Sequence, residues 1–307
     1  MRHVTLPGVA LLAAALSLPA CGPSPAGSLG AAPTGRPAAG PSSPAPSSPA
    51  PSSPATAPDK GGGTTTGTGD RPGGGVPDGR TITIEVWFTR DGALFPTRRT
   101  RPVTLATSRL ALTELVAGPS AVESAAGVGN GIAGSTTFDV SISGAVATVD
   151  LPGSFYGGGR DPARLRQAQV VYTLTQFPTV SAVGFQRDGV PAGAPVDRSD
   201  YADLLPAIVV TSVAIGDRVT SPITVAGTAN VFEATVSIRV LDAAGNPVKT
   251  AFTTATCGSG CRGDYSTTVS YRSGAEQAGT LRVYEVSAAD GSAMNVVDIP
   301  VTLAASG

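Results

Sequence analysis

The sequence predicts an α+β domain followed by an all-β sandwich, with a disordered N-terminal linker before them. Three observations lead to this prediction. Strand and helix patterns alternate in residues 80–196, which is typical of an α+β arrangement. Short strand patterns separated by turns follow in residues 206–303, and these favour a β-sandwich. Residues 21–79 are rich in Pro, Ser, Gly and Thr, so they have too little apolar surface to offset the entropy of ordering.

Residues 1–20 have the pattern of a bacterial signal peptide, with a basic start and an apolar run at residues 9–18. That run is shorter than the ~20 residues of a membrane-spanning helix. Residues 18–21 read LPAC, which resembles a lipobox, the signal for lipid attachment to a cysteine. We therefore predict cleavage before Cys21, lipid attachment at Cys21, and an extracytoplasmic protein that is lipid-anchored to the cell membrane. The alternative is an ordinary secretory signal with a chance cysteine.

The predicted linker, residues 21–79, contains three tandem PSSPA units at residues 41–55 and later runs of glycine. The proline-rich part favours extended polyproline II structure, and the glycine-rich part favours a flexible chain. We interpret the segment as a tether that holds the folded part away from the membrane. A glycosylated Ser/Thr-Pro stalk is the alternative interpretation.

The first domain contains two helix patterns among several strand patterns. The first helix, residues 108–117, is predicted to have Ser108 as its N-cap and to end at Gly118. The second helix is predicted to have Asp161 as its N-cap, with Pro162 at its first helical position. Extended segments are predicted at residues 81–89, 137–142, 145–151 and 180–186, and a further one is predicted around Val103 within residues 94–105.

The second domain contains strand patterns and no convincing helix. Val236, Ile238 and Val240 alternate with Ser237 and Arg239, as in a strand with one buried face. Together with the turn signals between them, the strands favour an immunoglobulin-like sandwich. The seven predicted strands are residues 208–214, 223–227, 234–241, 248–254, 264–270, 280–287 and 296–303.

Several stretches of the first domain resemble the GerMN domain of sporulation and spore-germination proteins. The resemblance implies an α+β fold and an association with envelope complexes, and it supplies no catalytic residues. The matching stretches are AGP at residues 117–119, VDL at 149–151, Phe155, residues 169–177, Val183 and Gly189.

The second domain resembles Gmad2, an immunoglobulin-like module found beside GerMN. The resemblance implies an extracytoplasmic adhesion or assembly module without identifying its ligand. The occurrence of both domains in this order strengthens each resemblance. The matching stretches are residues 219–223, 225–229, 231–235, 279–287 and 290–291.

Cys257 and Cys261 are separated by Gly258, Ser259 and Gly260. In an exported protein this arrangement predicts a disulfide that closes a tight loop. Two free thiols, or a redox or metal centre, are the alternatives, although the spacing differs from that of a CxxC motif.

Other motifs are interpreted as structural or as chance matches. Residues 129–134 satisfy the GxGxxG pattern, but a strand pattern follows them where a dinucleotide fingerprint needs a helix. Residues 262–264 read RGD, and matches of three residues arise readily by chance. Asp150, Asp161 and Glu233 lie on different elements and lack the dense acidic loop of a calcium site.

Composition excludes several classes of function. The formal net charge of −1 gives no reason to expect nucleic-acid binding. The only histidine is His3, inside the predicted signal, so Ser-His-Asp catalysis, Cys-His catalysis and His-based zinc sites are excluded from the mature chain. We predict no catalytic residue, no cofactor and no metal site. Paired carboxylates could still act as in glycosidases, but the sequence singles out no pair.

The predicted function is that of a non-enzymatic, lipid-anchored cell-envelope protein. We expect it to be a binding or assembly module in an envelope complex or a sporulation- or germination-related complex. Its expected partners are envelope proteins or cell-wall polymer, and it contacts the membrane through its lipid anchor. One alternative is a cell-wall glycan-acting enzyme with paired carboxylates. Another is a carrier of a soluble ligand, which would need an enclosed apolar pocket of several hundred Å³.

Overall fold

The computed structural model describes residues 79–306, which belong to the compact unit formed by residues 70–307. The predicted signal peptide, the lipid attachment at Cys21 and the predicted linker up to residue 78 lie outside the described residues. Across residues 79–306, every helix is too short or too polar to cross a membrane.

The first domain mixes helices and strands, as predicted. The short helix α2 and two 3-10 helices, Gly153–Tyr156 and Arg198–Leu204, were not predicted. In chain order the elements are β1 (Thr81–Arg90), β2 (Ala93–Pro102), α1 (Thr107–Ala117), α2 (Ala121–Ala125), β3 (Asp139–Ser143), β4 (Val146–Leu151), α3 (Arg160–Leu174), β5 (Ala182–Arg187) and β6 (Val190–Pro191).

The strands of the first domain form two sheets. β1 and β2 pair along their whole length as an antiparallel hairpin. Its two-residue turn consists of Asp91 and Gly92, with φ angles of 53° and 79°, and Asp-Gly suits the positive φ that such a turn needs at both positions. The second sheet has the order β3-β4-β5-β6. β4 and β5 are parallel, so they need a crossover connection, and α3 provides it.

Helix α3 covers the free edge of β1 with polar side chains. Gln176 Oε1 accepts the N–H of Glu85 at 2.7 Å, and Thr173 Oγ1 accepts the N–H of Trp87 at 3.0 Å. Gln169 Nε2 donates to the carbonyl oxygen of Trp87 at 3.1 Å. The spacing of residues 169 and 173 places their side chains on one face of α3, and Gln176 lies in the turn that follows the helix. They satisfy backbone groups that an exposed edge strand would otherwise offer to another chain.

Both predicted N-caps are wrong. The N-cap of α1 is Ala106, which makes no side-chain hydrogen bond, and Ser108 is buried inside the helix. The N-cap of α3 is Gly159, whose φ of 98° is favourable for glycine and unfavourable for aspartate. Asp161 instead lies in the first turn, where a negative charge interacts favourably with the helix dipole. The predicted end of α1 at Gly118 is confirmed.

The second domain is a sandwich of two sheets, as predicted. Each of the seven predicted strands overlaps an observed strand, and the two-residue β8 is additional. The sheets have the orders β11-β10-β13-β14-β8 and β12-β9-β7. The strands are β7 (Ile208–Val210), β8 (Arg218–Val219), β9 (Ile223–Ala229), β10 (Thr235–Leu241), β11 (Pro247–Thr254), β12 (Gly263–Val269), β13 (Gln277–Val286) and β14 (Ala293–Leu303).

The core of the second domain lies between its sheets. Val236, Ile238 and Val240 of β10 are completely buried, as predicted. Ser237 is buried as well, so the strand is covered on both faces there and the predicted alternation holds only in part. Tyr265 Oη donates to the carbonyl oxygen of Val209 at 3.0 Å. This bond ties β12 to β7 and satisfies a buried hydroxyl, which would otherwise be unfavourable in an apolar core.

A buried ion pair joins β2 to α2. Ser120 is the N-cap of α2, and Glu123 completes a capping box with it. Glu123 accepts hydrogen bonds from both terminal nitrogens of Arg99, at 2.8 and 2.6 Å, and from Thr97 Oγ1. Burial opposes ionisation of this carboxyl group. The hydrogen bonds from Arg99, Thr97 and the N–H of Ser120 outweigh that effect, and the pKa of Glu123 is lowered to about 2.

We expect Glu123→Gln to reduce the free energy of unfolding at pH 7 by about 3 kcal/mol, the equivalent of the lowered pKa. Because the folded-state pKa lies below the unfolded value of 4.5, this stabilisation is present above pH 4.5 and is lost as the pH falls towards about 2. Denaturant unfolding between pH 3 and pH 7 therefore checks both the size and the direction of the effect.

Glu276→Gln is the matched control, because Glu276 forms an exposed ion pair with Arg218 at 2.7 Å. Exposed pairs contribute about 0–1 kcal/mol. A loss in Glu123→Gln that is no larger than in this control, or that does not change with pH, would contradict the role of the buried pair.

Candidate functional site

The hairpin of the first domain contacts the second domain through polar groups. Arg98 Nη2 lies 2.5 Å from Asp217 Oδ2, and Arg90 Nη1 donates to the carbonyl oxygen of Asp298 at 3.0 Å. Asp217 Oδ2 also accepts the N–H of Ala214 at 2.8 Å, so its carboxylate is held in place for Arg98. Bidentate or shared charged contacts of this kind add orientation as well as energy.

A cavity of about 350 Å³ lies where the two domains meet. It combines an aromatic wall, two arginines, one carboxylate and an apolar side. Its lining residues come from β1, α3, the 3-10 helix Arg198–Leu204 and the residue after it, β7 and the residue after it, β9 and the residue before β12. They are Glu85, Trp87, Tyr172, Arg198, Ser199, Ala202, Leu205, Val209, Thr211, Thr228 and Arg262.

Trp87 and Tyr172 form the aromatic wall of the cavity. Their ring centroids are 4.7 Å apart and the planes are tilted by 53°. The guanidinium of Arg198 lies 5.8 Å from the centroid of the Trp87 ring and 4.9 Å from that of Tyr172. Contacts of a guanidinium with two ring faces stabilise it electrostatically. The hydrogen bonds of α3 to the backbone of Trp87 hold this wall in position.

Arg198 is further held by hydrogen bonds to α3 and to the residue that follows it. Its Nε donates to Thr175 Oγ1 at 2.8 Å, and its Nη2 donates to the carbonyl oxygen of Tyr172 at 2.9 Å. Tyr172 Oη in turn donates to the carbonyl oxygen of Arg198 at 3.2 Å. Burial lowers the pKa of Arg198, yet an arginine keeps its charge at any physiological pH.

Arg262 enters the cavity from the second domain. Its Nη1 donates to Oγ1 and the carbonyl oxygen of Thr228, at 3.1 and 3.3 Å, and its Nη2 donates to the carbonyl oxygen of Pro206 at 2.6 Å. Burial lowers the pKa of this guanidinium as well. All three acceptors are neutral, so the charge of Arg262 is hydrogen-bonded but not neutralised.

Glu85 is the one carboxylate among the lining residues. Its Oε1 accepts the indole N–H of Trp87 at 2.6 Å and lies 4.0 Å from Arg198 Nη2. Burial raises the pKa of Glu85 above its ordinary value of 4.5, and the bond from Trp87 and the charge of Arg198 reduce this rise. The cavity thus presents two guanidinium groups against a single carboxylate.

This arrangement is suited to binding. The lining holds one carboxylate, whereas glycoside hydrolysis needs two. Within residues 79–306, no group of three His, Cys, Asp or Glu side chains could hold a metal ion. Recessed arginines beside aromatic rings are groups that recognise anionic or polar ligands.

Two family models match the chain on either side of the cavity. The Germane family, described as sporulation and spore germination, matches residues 85–193. The Gmad2 family, described as an immunoglobulin-like domain of bacterial spore germination, matches residues 207–292. The chain carries a GerMN-like domain followed by a Gmad2 immunoglobulin-like domain. The resemblances and the fold class inferred from the sequence are confirmed.

Two solved structures are similar to parts of the chain. The first GerMN domain of the sporulation protein GerM from Bacillus subtilis is 21% identical, and the match covers 38% of this chain and 95% of that chain with a TM-score of 0.33. The tandem GerMN domains of the same protein are 16% identical, with 62% of each chain covered and a TM-score of 0.34. No curated protein sequence matches the chain significantly.

The predicted cysteine pair lies in the Gmad2 domain, just before Arg262. The sulfur atoms of Cys257 and Cys261 are at bonding distance, and their Cα atoms are 5.7 Å apart, within the range of disulfides. In the loop between them, Ser259 Oγ accepts the N–H of Glu233 at 3.0 Å. Glu233 has a φ of 52°, which is unfavourable for a residue other than glycine. The cysteine loop therefore supports a strained turn and leads directly into Arg262.

The other singled-out motifs have structural roles. Residues 129–134 form a loop, and Gly131 N–H donates to Gln169 Oε1 at 3.2 Å. The RGD at residues 262–264 is not displayed as a free tripeptide, because Arg262 is bound inside the cavity and Gly263 is buried at the start of β12. Gly263 also packs so closely against the backbone of Cys257 that a Cβ atom would clash there.

Sequence reasoning did not identify the cavity. Glu85, Trp87, Arg198 and Arg262 are far apart in the chain and follow no spacing rule. Tyr172 lies within the GerMN-matching stretch at residues 169–177, which indicated the fold and not a site. The one feature of the sequence that sets any of these residues apart is that Trp87 is the only tryptophan of the chain. This does not indicate which side chains lie beside Trp87 in the folded protein.

We expect the fluorescence of Trp87 to report the protonation of Glu85. Trp87 is the only tryptophan in the chain, and its indole N–H donates to Glu85 Oε1, so protonation removes a charged acceptor from the fluorophore. Because the folded-state pKa of Glu85 is raised, the emission should titrate with a midpoint above 4.5. Emission spectra between pH 3 and pH 8 measure this midpoint. Glu85→Gln should eliminate the transition, and its persistence in that variant would contradict the assignment.

Proposed function

We propose that the protein is a non-enzymatic, lipid-anchored binding or assembly module of the cell envelope, acting in a sporulation- or germination-related complex. The observation that carries the proposal is the cavity between the GerMN-like and Gmad2 domains, which has two arginines and an aromatic wall but only one carboxylate. The family descriptions support the setting of the complex, because that of the first domain names sporulation and spore germination and that of the second names spore germination.

The anchor and the tether follow from the sequence of residues 1–79. Lipid on Cys21 would fix one end of the chain at the membrane. The Pro- and Gly-rich residues 22–78 would then let the two domains reach partners at a distance set by the linker. In this proposal the partners are envelope proteins or cell-wall polymer, and binding is confined to the space near the membrane.

An extracytoplasmic location also favours oxidation of Cys257 and Cys261, and we propose that they form a structural disulfide. Its loop supports the turn at Glu233 and precedes Arg262, so oxidation would order one wall of the cavity. The predicted stabilisation is about 2 kcal/mol from closing the loop. In an intact-mass measurement the oxidised pair resists alkylation until it is reduced.

A group of three aspartates in the GerMN-like domain allows the alternative function, that of a glycan-acting enzyme, to be tested. Asp139, Asp150 and Asp188 line a depression of about 150 Å³ in the GerMN-like domain. Two of these carboxylates have structural partners, because Asp139 pairs with Arg109 at 3.1 Å and Asp150 accepts the N–H of Gly189 at 2.8 Å. The alternative predicts that the protein releases soluble glycan from purified cell wall and that the Asp150→Asn variant does not. This result would support hydrolysis in place of binding.

We expect mass spectrometry of the mature protein to show a lipid-modified N-terminal Cys21. Cys21→Ser should lack the lipid mass and should move from the membrane fraction to the soluble extracytoplasmic fraction, because a lipid chain supplies the apolar contact with the bilayer. Identical fractionation of the variant, or an unmodified N-terminus in the wild type, would contradict the anchor.

We expect a photo-crosslinking amino acid at Ala202 to capture a specific envelope partner in living cells. Ala202 is exposed and lines the cavity, and it makes no side-chain hydrogen bond that the replacement would break. The same group at Ser141, an exposed position on β3, is the control. Immunoblotting should show an adduct for Ala202 alone. The absence of any adduct at Ala202, together with a deletion strain that has no envelope phenotype, would refute the binding function.

A further inference from the structure

The two arginines of the cavity have more N–H donors than the protein uses. A guanidinium has five N–H bonds. Arg198 donates two to protein oxygens, which leaves three, and Arg262 donates at most three, which leaves at least two. Among the described residues, no fully buried side-chain nitrogen lacks a hydrogen-bond partner. Arg198 Nη1 and Arg262 Nε make no hydrogen bond to the protein, so neither of these two nitrogens is fully buried.

The lining also carries a net positive charge. Two arginines and one carboxylate give +2 − 1 = +1 when Glu85 is ionised. Glu85 lies 4.0 Å from Arg198 and is bonded to Trp87. No carboxylate oxygen of residues 79–306 lies within that distance of Arg262. A recessed charge that is not neutralised is unfavourable, and a single negative charge on a ligand would offset it.

The side of the cavity next to the arginines is apolar. Ala202, Leu205 and Val209 line it together with the faces of the aromatic wall. The volume of about 350 Å³ is at the lower end of the range for small-molecule pockets. The ligand group that fits is thus small, singly charged at one end and apolar beside the charge.

We propose that this cavity binds the free C-terminal carboxylate of a peptide that ends in a small apolar residue. The carboxylate accepts the spare N–H bonds of Arg198 and Arg262, and the terminal side chain packs against Leu205 and Val209. The inference rests on the proposed binding function and deepens it by naming the ligand class. Such an end is present on the stem peptides of bacterial cell wall and on protein chains, and the two sources differ in the chirality of the terminal residue.

Two features favour a carboxylate over a phosphate. A dianionic phosphate would exceed the net charge of +1 and would be repelled by Glu85. A phosphodiester polymer continues on both sides of its charge with polar groups, which leaves the apolar side of the cavity unfilled.

The test uses Trp87 as the reporter, because it is the only tryptophan of the full chain. The full chain, purified in detergent, is titrated with N-acetyl-Ala-Ala in its L,L and D,D forms. The same peptides with an amidated C-terminus are the neutral controls. We expect a saturable change in emission with at least one acid, and about 10-fold or more weaker binding of its amide. Preference for the D,D form assigns the ligand to a cell-wall stem peptide, and preference for the L,L form assigns it to a protein C-terminus.

Substitutions in the cavity are expected to lower or to raise the affinity for the peptide acid, depending on the charge that they remove. Arg198→Gln and Arg262→Gln should each weaken binding of the acid about 10-fold, because each removes a charged donor. Glu85→Gln should strengthen it about threefold or more, because it removes a competing negative charge. Arg218→Gln is the matched control, since it removes an exposed positive charge that is paired with Glu276 on the Gmad2 domain. Calorimetry of the same variants measures affinity without relying on the emission of Trp87.

Arg262 also bonds to Thr228 and Pro206, so thermal unfolding is recorded for each variant. If Arg262→Gln does not fold, Arg198→Gln and Glu85→Gln decide the outcome. Equal binding of acid and amide, no binding of either, or unchanged affinity in the folded arginine variants would overturn the proposal. So would binding of dimethyl phosphate in place of the acids. An adduct at Ala202 in cells with no peptide binding would reject this ligand class and leave the proposed binding function standing.

Discussion

The structure depends on the arginines of β2 and the carboxylates that they bind. Arg99 pairs with the buried Glu123 of α2, and Arg98 pairs with Asp217 of the Gmad2 domain. Arg101 binds Glu114 of α1 through two hydrogen bonds at 2.7 and 2.8 Å. Neighbouring side chains on a strand point to opposite faces, so one strand can hold helices on one side and a second domain on the other. β1 pairs with β2 along its whole length, and it therefore takes its position from these contacts.

The cavity follows from that position. β1 carries Glu85 and Trp87 towards the Gmad2 domain. Thr173 of α3 and Gln176 in the turn after it hold the backbone of these two residues. The 3-10 helix after the first domain adds Arg198, and the residue before β12 adds Arg262. Neither domain alone supplies both guanidinium groups. Ligand sites are frequent where domains meet, because such junctions bring together side chains that no single element can present.

Two local features of the Gmad2 domain determine the position of Arg262. The loop between Cys257 and Cys261 ends immediately before it, and Gly263 allows the backbone to pass close to Cys257. The hydrogen bonds of Arg262 to neutral oxygens orient its guanidinium without neutralising it. A partly buried charge held in this way opposes folding to the extent that solvent or a partner does not compensate it. The position of Arg262 at the cavity between the two domains is suited to a role in binding.

The sequence by itself determined the order of the elements and the identity of both domains. Strand patterns bounded by turn signals predicted seven of the eight strands of the sandwich, because these signals are local in the sequence, and the two-residue β8 was not predicted. The caps at Ser108 and Asp161 were predicted wrongly, since backbone turns at Ala106 and Gly159 decide where those helices begin. Only the tertiary structure decided the cavity. Its charged and aromatic groups come from distant parts of the chain. The net charge of the lining depends on which of these groups lie close together in the folded protein, and the spacing of residues in the sequence does not show this.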